Sequence, residues 1–276
     1  MKKFLRPKNM PTLALFCGLA GFALRLWTLG GGPDSLGLYA PQPMAWALLL
    51  TLTAALGALL VVMARPLSKP GEYHDHFFAS LPAAVGNAAA AAAMILSGFR
   101  ASGNPSTIYS LIMSLLALAS ALGFCLAAVA RYHGNRQPFW AYLTACLFLA
   151  LRLFDRCRGW SETAQTGVYL FPFLASACLL LALFQLTALQ VDLGSRRLST
   201  FFSLSGIYLC MVCFASSEEL FFYLLMTVFL LTNLCSLRPL KKQQAAPAEP
   251  EQSKPAPSHD PTEMSYEELM DWLKNG

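Results

Sequence analysis

The chain has 276 residues, 56% of them hydrophobic and 13% charged, against about 25% charged in a soluble domain. A soluble fold of this size cannot hide so much apolar surface, so lipid must cover it. The net charge of +5 lies in short clusters at the ends of apolar runs, where membrane proteins carry their cations, and this excludes a nucleic-acid surface.

A hydrocarbon core about 30 Å thick takes about 20 residues of helix. Stretches of that kind fill residues 11–237, most of them free of charge. The fold expected is all-α. A polytopic transmembrane bundle of about eight spans occupies residues 1–240, a Pro-rich disordered linker 241–261, and a short amphipathic helix 262–276. The predicted spans are 11–30, 44–64, 78–98, 107–130, 138–156, 167–190, 199–215 and 218–237.

The chain opens on Met1-Lys2-Lys3-Phe4, a basic start like that of a signal peptide. No small-x-small cleavage site follows the first apolar segment, so it reads as an uncleaved first helix. That span carries Arg25 about fifteen residues in. After span two comes Glu72-Tyr73-His74-Asp75-His76, with His133 one loop further on. The histidine spacing fits no zinc pattern, and no metal or cofactor is expected. Span three runs through Ala83-Ala84-Val85-Gly86-Asn87 into six alanines. Small residues let helix backbones approach closely, which places this span inside the bundle.

Span five carries Arg152 at the depth at which span one carries Arg25. The features that follow the two arginines recur in the same order at an offset near 127. That order suggests two parallel four-helix repeats, related by an axis along the membrane normal. Arginine in a span is costly, and its planar fork of donors suits a carboxylate or phosphate. Asp155 lies three residues after Arg152 and can share its face. Arg25, Arg152 and Asp155 are therefore the candidate substrate-binding residues. Competing roles for the arginines are snorkelling to headgroups, or ion pairing with Asp34, Asp155 or Glu219.

Cys210-Met211-Val212-Cys213 in span seven is a CxxC flanked by Leu209 and Phe214, with no neighbouring cation in sequence to activate a thiol. It reads as buried apolar cysteine. Spans seven and eight must turn at Ser216-Ser217-Glu218-Glu219, unless the two form one long span with its acids in a cavity.

Lys and Arg set the threading. Lys2, Lys3, Arg6, Lys8, Arg65, Lys69, Arg131, Arg136, Arg196, Arg197, Arg238, Lys241 and Lys242 fall on one side of the eight-span path. Arg100, Arg156 and Arg158 fall on the other. The bias puts both termini in the cytoplasm, and the short loops suit a bacterial inner membrane.

In the tail, Ser265 and Glu268 form a capping box. Tyr266, Leu269, Met270 and Leu273 fall on one helical face, a stripe suited to docking a cytoplasmic protein. No phosphate loop or catalytic signature appears, and no nucleophile and base can be set at one depth. The activity expected is a secondary transporter or permease-like subunit for a small anionic solute. The alternative is a sensor or assembly scaffold holding a partner through its tail.

Overall fold

The computed structural model describes residues 10–30, 42–65, 79–102, 108–134, 139–162, 166–191, 193–215 and 219–236. These residues form eight helices and no strand. They are α1 (Met10–Leu29), α2 (Pro43–Ala64), α3 (Leu81–Ser102), α4 (Ile108–His133), α5 (Trp140–Glu162), α6 (Thr166–Gln190), α7 (Arg196–Cys213) and α8 (Leu220–Ser236). All belong to a compact unit ending at Arg238. The predicted linker 241–261 and tail helix 262–276 lie outside the described residues.

Each helix follows from its run of helix-forming apolar residues, punctuated at its ends. Pro43 opens α2, where its missing N–H costs nothing. Gly134 closes α4 with φ 74°, the left-handed conformation that glycine adopts freely. Hydroxyls inside the helices donate to their own backbone: Thr53 to Leu49 O, Ser120 to Leu116 O, Ser176 to Pro172 O and Thr227 to Tyr223 O. That satisfies them where water is absent.

The helices α3, α4, α5, α6, α7 and α8 each pack on the next, and α8 closes against α3. Helix α1 packs on α2 and α7, and α2 also touches α7. Consecutive helices run antiparallel. At one end, Arg25 near the end of α1 meets Trp46 near the start of α2, and Tyr109 at the start of α4 donates to Leu151 O on α5. At the opposite end, Ser80 N–H, before α3, donates to Arg131 O in the last turn of α4.

Helix α4 shows how sequence periodicity sorts lipid from core. Met113, Ala117, Ala121, Phe124 and Ala127 are buried, whereas Leu111, Leu115, Leu118, Leu122 and Val129 are exposed. The exposed stripe runs from Leu111 to Val129 at spacings of three, four and seven, about 27 Å of apolar surface at 1.5 Å per residue. Five helices are long and apolar enough to cross a membrane: α1, α2, α3, α4 and α6.

Helix α3 packs closely on both α4 and α8. Ala83, Asn87, Ala90, Ala91, Ala93 and Met94 are buried, while Val85 and Phe99 face outward. Its small residues admit the neighbours directly: a Cβ on Gly86 would collide with the Thr232 side chain of α8. The segments predicted as spans seven and eight form two separate helices packed on each other, which replaces the single-long-helix alternative.

One assignment is corrected. Arg131, read from sequence as a loop cation, sits in the last turn of α4 with 1% of its surface exposed. Its carbonyl accepts from Ser80 N–H just before α3, and its side chain meets Tyr142 of α5.

Candidate polar site between the helix ends

The interior faces of α1 and α5 each deliver an arginine. On α1 the buried stripe is Met10, Ala14, Gly18, Gly21, Arg25 and Thr28, at spacings of three and four. On α5 it is Tyr142, Ala145, Leu149 and Arg152. One further turn brings Arg156 to the same face. Helical phase alone thus carries these cations inward.

Arg25 is 3% exposed. Its guanidinium lies 5.2 Å from the Phe171 ring of α6 and 5.8 Å from the Trp46 ring of α2. The two rings meet edge to face at 5.6 Å. Stacking on aromatic faces is a favourable setting for a delocalised cation.

Arg152 is 8% exposed. Its Nη2 pairs with Glu219 Oε1 at 2.8 Å, and its Nη1 donates to Ser97 Oγ of α3 at 3.1 Å. Its guanidinium carbon stands 3.8 Å from the centre of the Phe222 ring. Arg156 Nη2 pairs with the other carboxylate oxygen, Glu219 Oε2, and lies 6.0 Å from the Tyr223 ring. A different guanidinium therefore meets each oxygen of one carboxylate. Glu219 lies in the 3-10 turn that leads directly into α8. Burial pushes its pKa up, but Arg152 and Arg156 outweigh that and hold it below the ordinary carboxylate value.

Cys213, at the end of α7, lies within electrostatic reach of Arg156, Arg25 and Glu219. It ties the two arginine environments into one neighbourhood. The reading of Cys210 and Cys213 as buried cysteines agrees with the structure. What the local sequence does not show is that the fold brings Arg25 of α1 and Arg156 of α5 near Cys213. Both thiols are buried, and neither is in a disulfide among the described residues. The Tyr223 side chain is buried, and its hydroxyl has no hydrogen-bond partner among the described residues.

Asp155 is exposed, on the side of α5 near Tyr109, and the acid that Arg152 meets is Glu219. Tyr266, Leu269, Met270 and Leu273 lie outside the described residues. Sequence reasoning did not single out Arg156 as a member of the site. The available signal was its position four residues after Arg152 on an inward stripe.

A second polar cluster lies at the other end of the same helices. Tyr142 donates to Asn87 Oδ1 at 2.8 Å, and Asn87 Nδ2 donates to Ala83 O at 2.7 Å. The buried Arg131 side chain meets Tyr142. The Phe124 and Phe229 rings, 5.3 Å apart, pack on the Tyr142 ring at 5.6 and 6.3 Å. Tyr142→Phe removes the donor to Asn87 and a neighbour of Arg131. It should lower stability by about 0.6–1.7 kcal/mol, the range for interhelical hydrogen bonds in membranes. Thermal unfolding of the purified protein reads this, and an unchanged midpoint would show the bond to be energetically idle.

What the arrangement at the Arg152 end can do is hold an anion. Two guanidiniums converge on one carboxylate beside the Tyr223 ring, a geometry suited to a small carboxylate or phosphate. Comparison with protein-family models, curated protein sequences and solved structures returns no match.

Proposed function

We propose that this chain is an eight-span membrane protein that binds a small anionic solute at the Arg25, Arg152 and Arg156 end and moves it across the bilayer, as a secondary transporter or permease-like subunit. The observation that carries the reading is the convergence of Arg152 and Arg156 on Glu219 inside a bundle whose outer surface is apolar, with Arg25 buried toward the same end. A buried cluster of cations in a membrane domain is costly, and a solute site is a use that repays it.

Three helices beyond the five most apolar ones complete the spans in this reading. Helix α5 has 23 residues, α7 has 18 and α8 has 17, or about 34, 27 and 26 Å at 1.5 Å per residue. The charges that lower the hydropathy of α5 include Arg152 and Arg156, which point inward. Antiparallel succession of all eight helices supports a crossing by each. With that count, the Lys and Arg bias sets both termini in the cytoplasm and the anion site toward the outer face. The 4+4 repeat keeps one support, the matched depth of Arg25 and Arg152. Their surroundings differ, two aromatic rings for one and Ser97, Glu219 and Phe222 for the other.

Uptake by proteoliposomes tests the proposal, with labelled acetate, succinate and inorganic phosphate as probes. The parent should take up at least one of these above empty vesicles. Arg156→Gln should reduce that uptake by roughly tenfold or more, as loss of a charged hydrogen bond implies. Uptake of none by the parent, or equal uptake by Arg156→Gln, would defeat the assignment.

A further inference from the structure

We propose that Glu219 is a tethered occupant of the anion site, and that the solute carries a carboxylate which displaces it. The inference rests on the anion-binding reading above and specifies its ligand class and its regulation.

The geometry is that of a bound carboxylate. Glu219 offers one oxygen to Arg152 and the other to Arg156. Arg152 is held from two further sides, by Ser97 Oγ and by the Phe222 ring. Its fork is therefore fixed before any solute arrives, and the anion position between the two guanidiniums is already shaped for a planar, two-oxygen group. Glu219 itself is the more exposed partner. It lies in the single turn that leads into α8, and 29% of its side chain is exposed, against 9% for Arg152 and 17% for Arg156. Its carboxylate has a route to solvent that the arginines lack.

Exchange also balances the charges. An incoming carboxylate takes the two guanidiniums, and the Glu219 carboxylate gains water in their place. No buried cation is left bare at either stage, which is the state that costs most. The incoming group gains a bond that Glu219 does not make: the buried Tyr223 hydroxyl, without a partner among the described residues, is a donor in the same neighbourhood. Glu219 thus acts as a competitor built into the chain, keeping the site closed when solute is scarce.

Equilibrium binding to the full-length protein in lipid nanodiscs tests this, with labelled acetate and, separately, inorganic phosphate. Glu219→Gln removes the internal competitor and should bind acetate about tenfold more tightly than the parent, by the worth of a charge-assisted bond. Glu219→Asp keeps the charge on a shorter arm and should fall between the two. If Glu219→Gln does not fold, Glu219→Asp decides on the same scale. Acetate affinity equal to or weaker than the parent's, in whichever variant folds, overturns the inference while leaving the anion site standing. Tighter binding of phosphate than of acetate throughout overturns the carboxylate class. Binding of neither anion by the parent and both variants overturns the anion site as well.

Discussion

Replacing Arg152 with alanine should destabilise the bundle by about 3 kcal/mol, the lower end for breaking a buried ion pair. The estimate sits at the lower end because Glu219 is partly exposed and keeps Arg156. Three contacts go together in that substitution: the pair to Glu219 Oε1, the bond to Ser97 and the stack on Phe222. Arg152→Lys should recover only part of the loss. A lysine places one compact charge and cannot address Ser97 and Glu219 from two nitrogens in a fixed plane. Thermal unfolding of the single variants and of Arg152→Ala combined with Glu219→Ala gives the coupling directly. The double variant should be less destabilised than the sum of the two. Strict additivity would mean that the pair contributes nothing and that Arg152 acts through packing alone.

Gly123→Ala should cost about 1–3 kcal/mol, the usual range for overpacking, although it adds one methyl to a helix. The added Cβ would stand 2.6 Å from the Ala141 carbonyl oxygen and 3.0 Å from its Cα. Both atoms are backbone of α5, so relief requires the two helices to part. Separating them also disturbs Tyr142, the next residue, and its bond to Asn87. Gly57 on α2 is the internal control, since a Cβ there meets nothing within 4 Å. Gly57→Ala should be neutral or stabilising by up to about 1 kcal/mol through helix propensity. Thermal midpoints of both variants make the comparison. A Gly123→Ala protein as stable as the parent would show that the close approach of α4 and α5 is not maintained in the membrane.

The helices were legible in the sequence because each is an apolar run with an interruption at either end. Even α5 was legible, since its run continues through Arg152. The inward direction of Arg25 and Arg152 was also available, from their spacing to Gly18 and Gly21 and to Tyr142, Ala145 and Leu149. Their partners were not available. Glu219 lies 63 residues from Arg156, and nothing local distinguishes it from Glu218 or Asp155. Which acid reaches the arginines depends on how α8 sits against α5. Arg131 was misplaced for a related reason: a cation that closes an apolar run reads as an interfacial charge, and its burial depends on contacts distant in sequence, such as Tyr142 of α5. The tail stripe at Tyr266, Leu269, Met270 and Leu273 stands on its periodicity alone.

Helices α3 and α5 exchange two side-chain hydrogen bonds, Tyr142 to Asn87 and Arg152 to Ser97, and both join residues 55 apart in the chain. The equal offset means that the two helices run in parallel and in register, fastened at two heights about 15 Å apart. A rod pinned twice to its neighbour can neither roll nor slip by a turn without losing both pins together. Any displacement of α5 therefore carries α3 with it, and α4, packed on both, travels as the third member of the same slab. Helix α8 is bound to the same slab by its close packing on α3 and by Glu219 reaching Arg152 and Arg156 of α5, which leaves the contact with α6 as the joint that can yield.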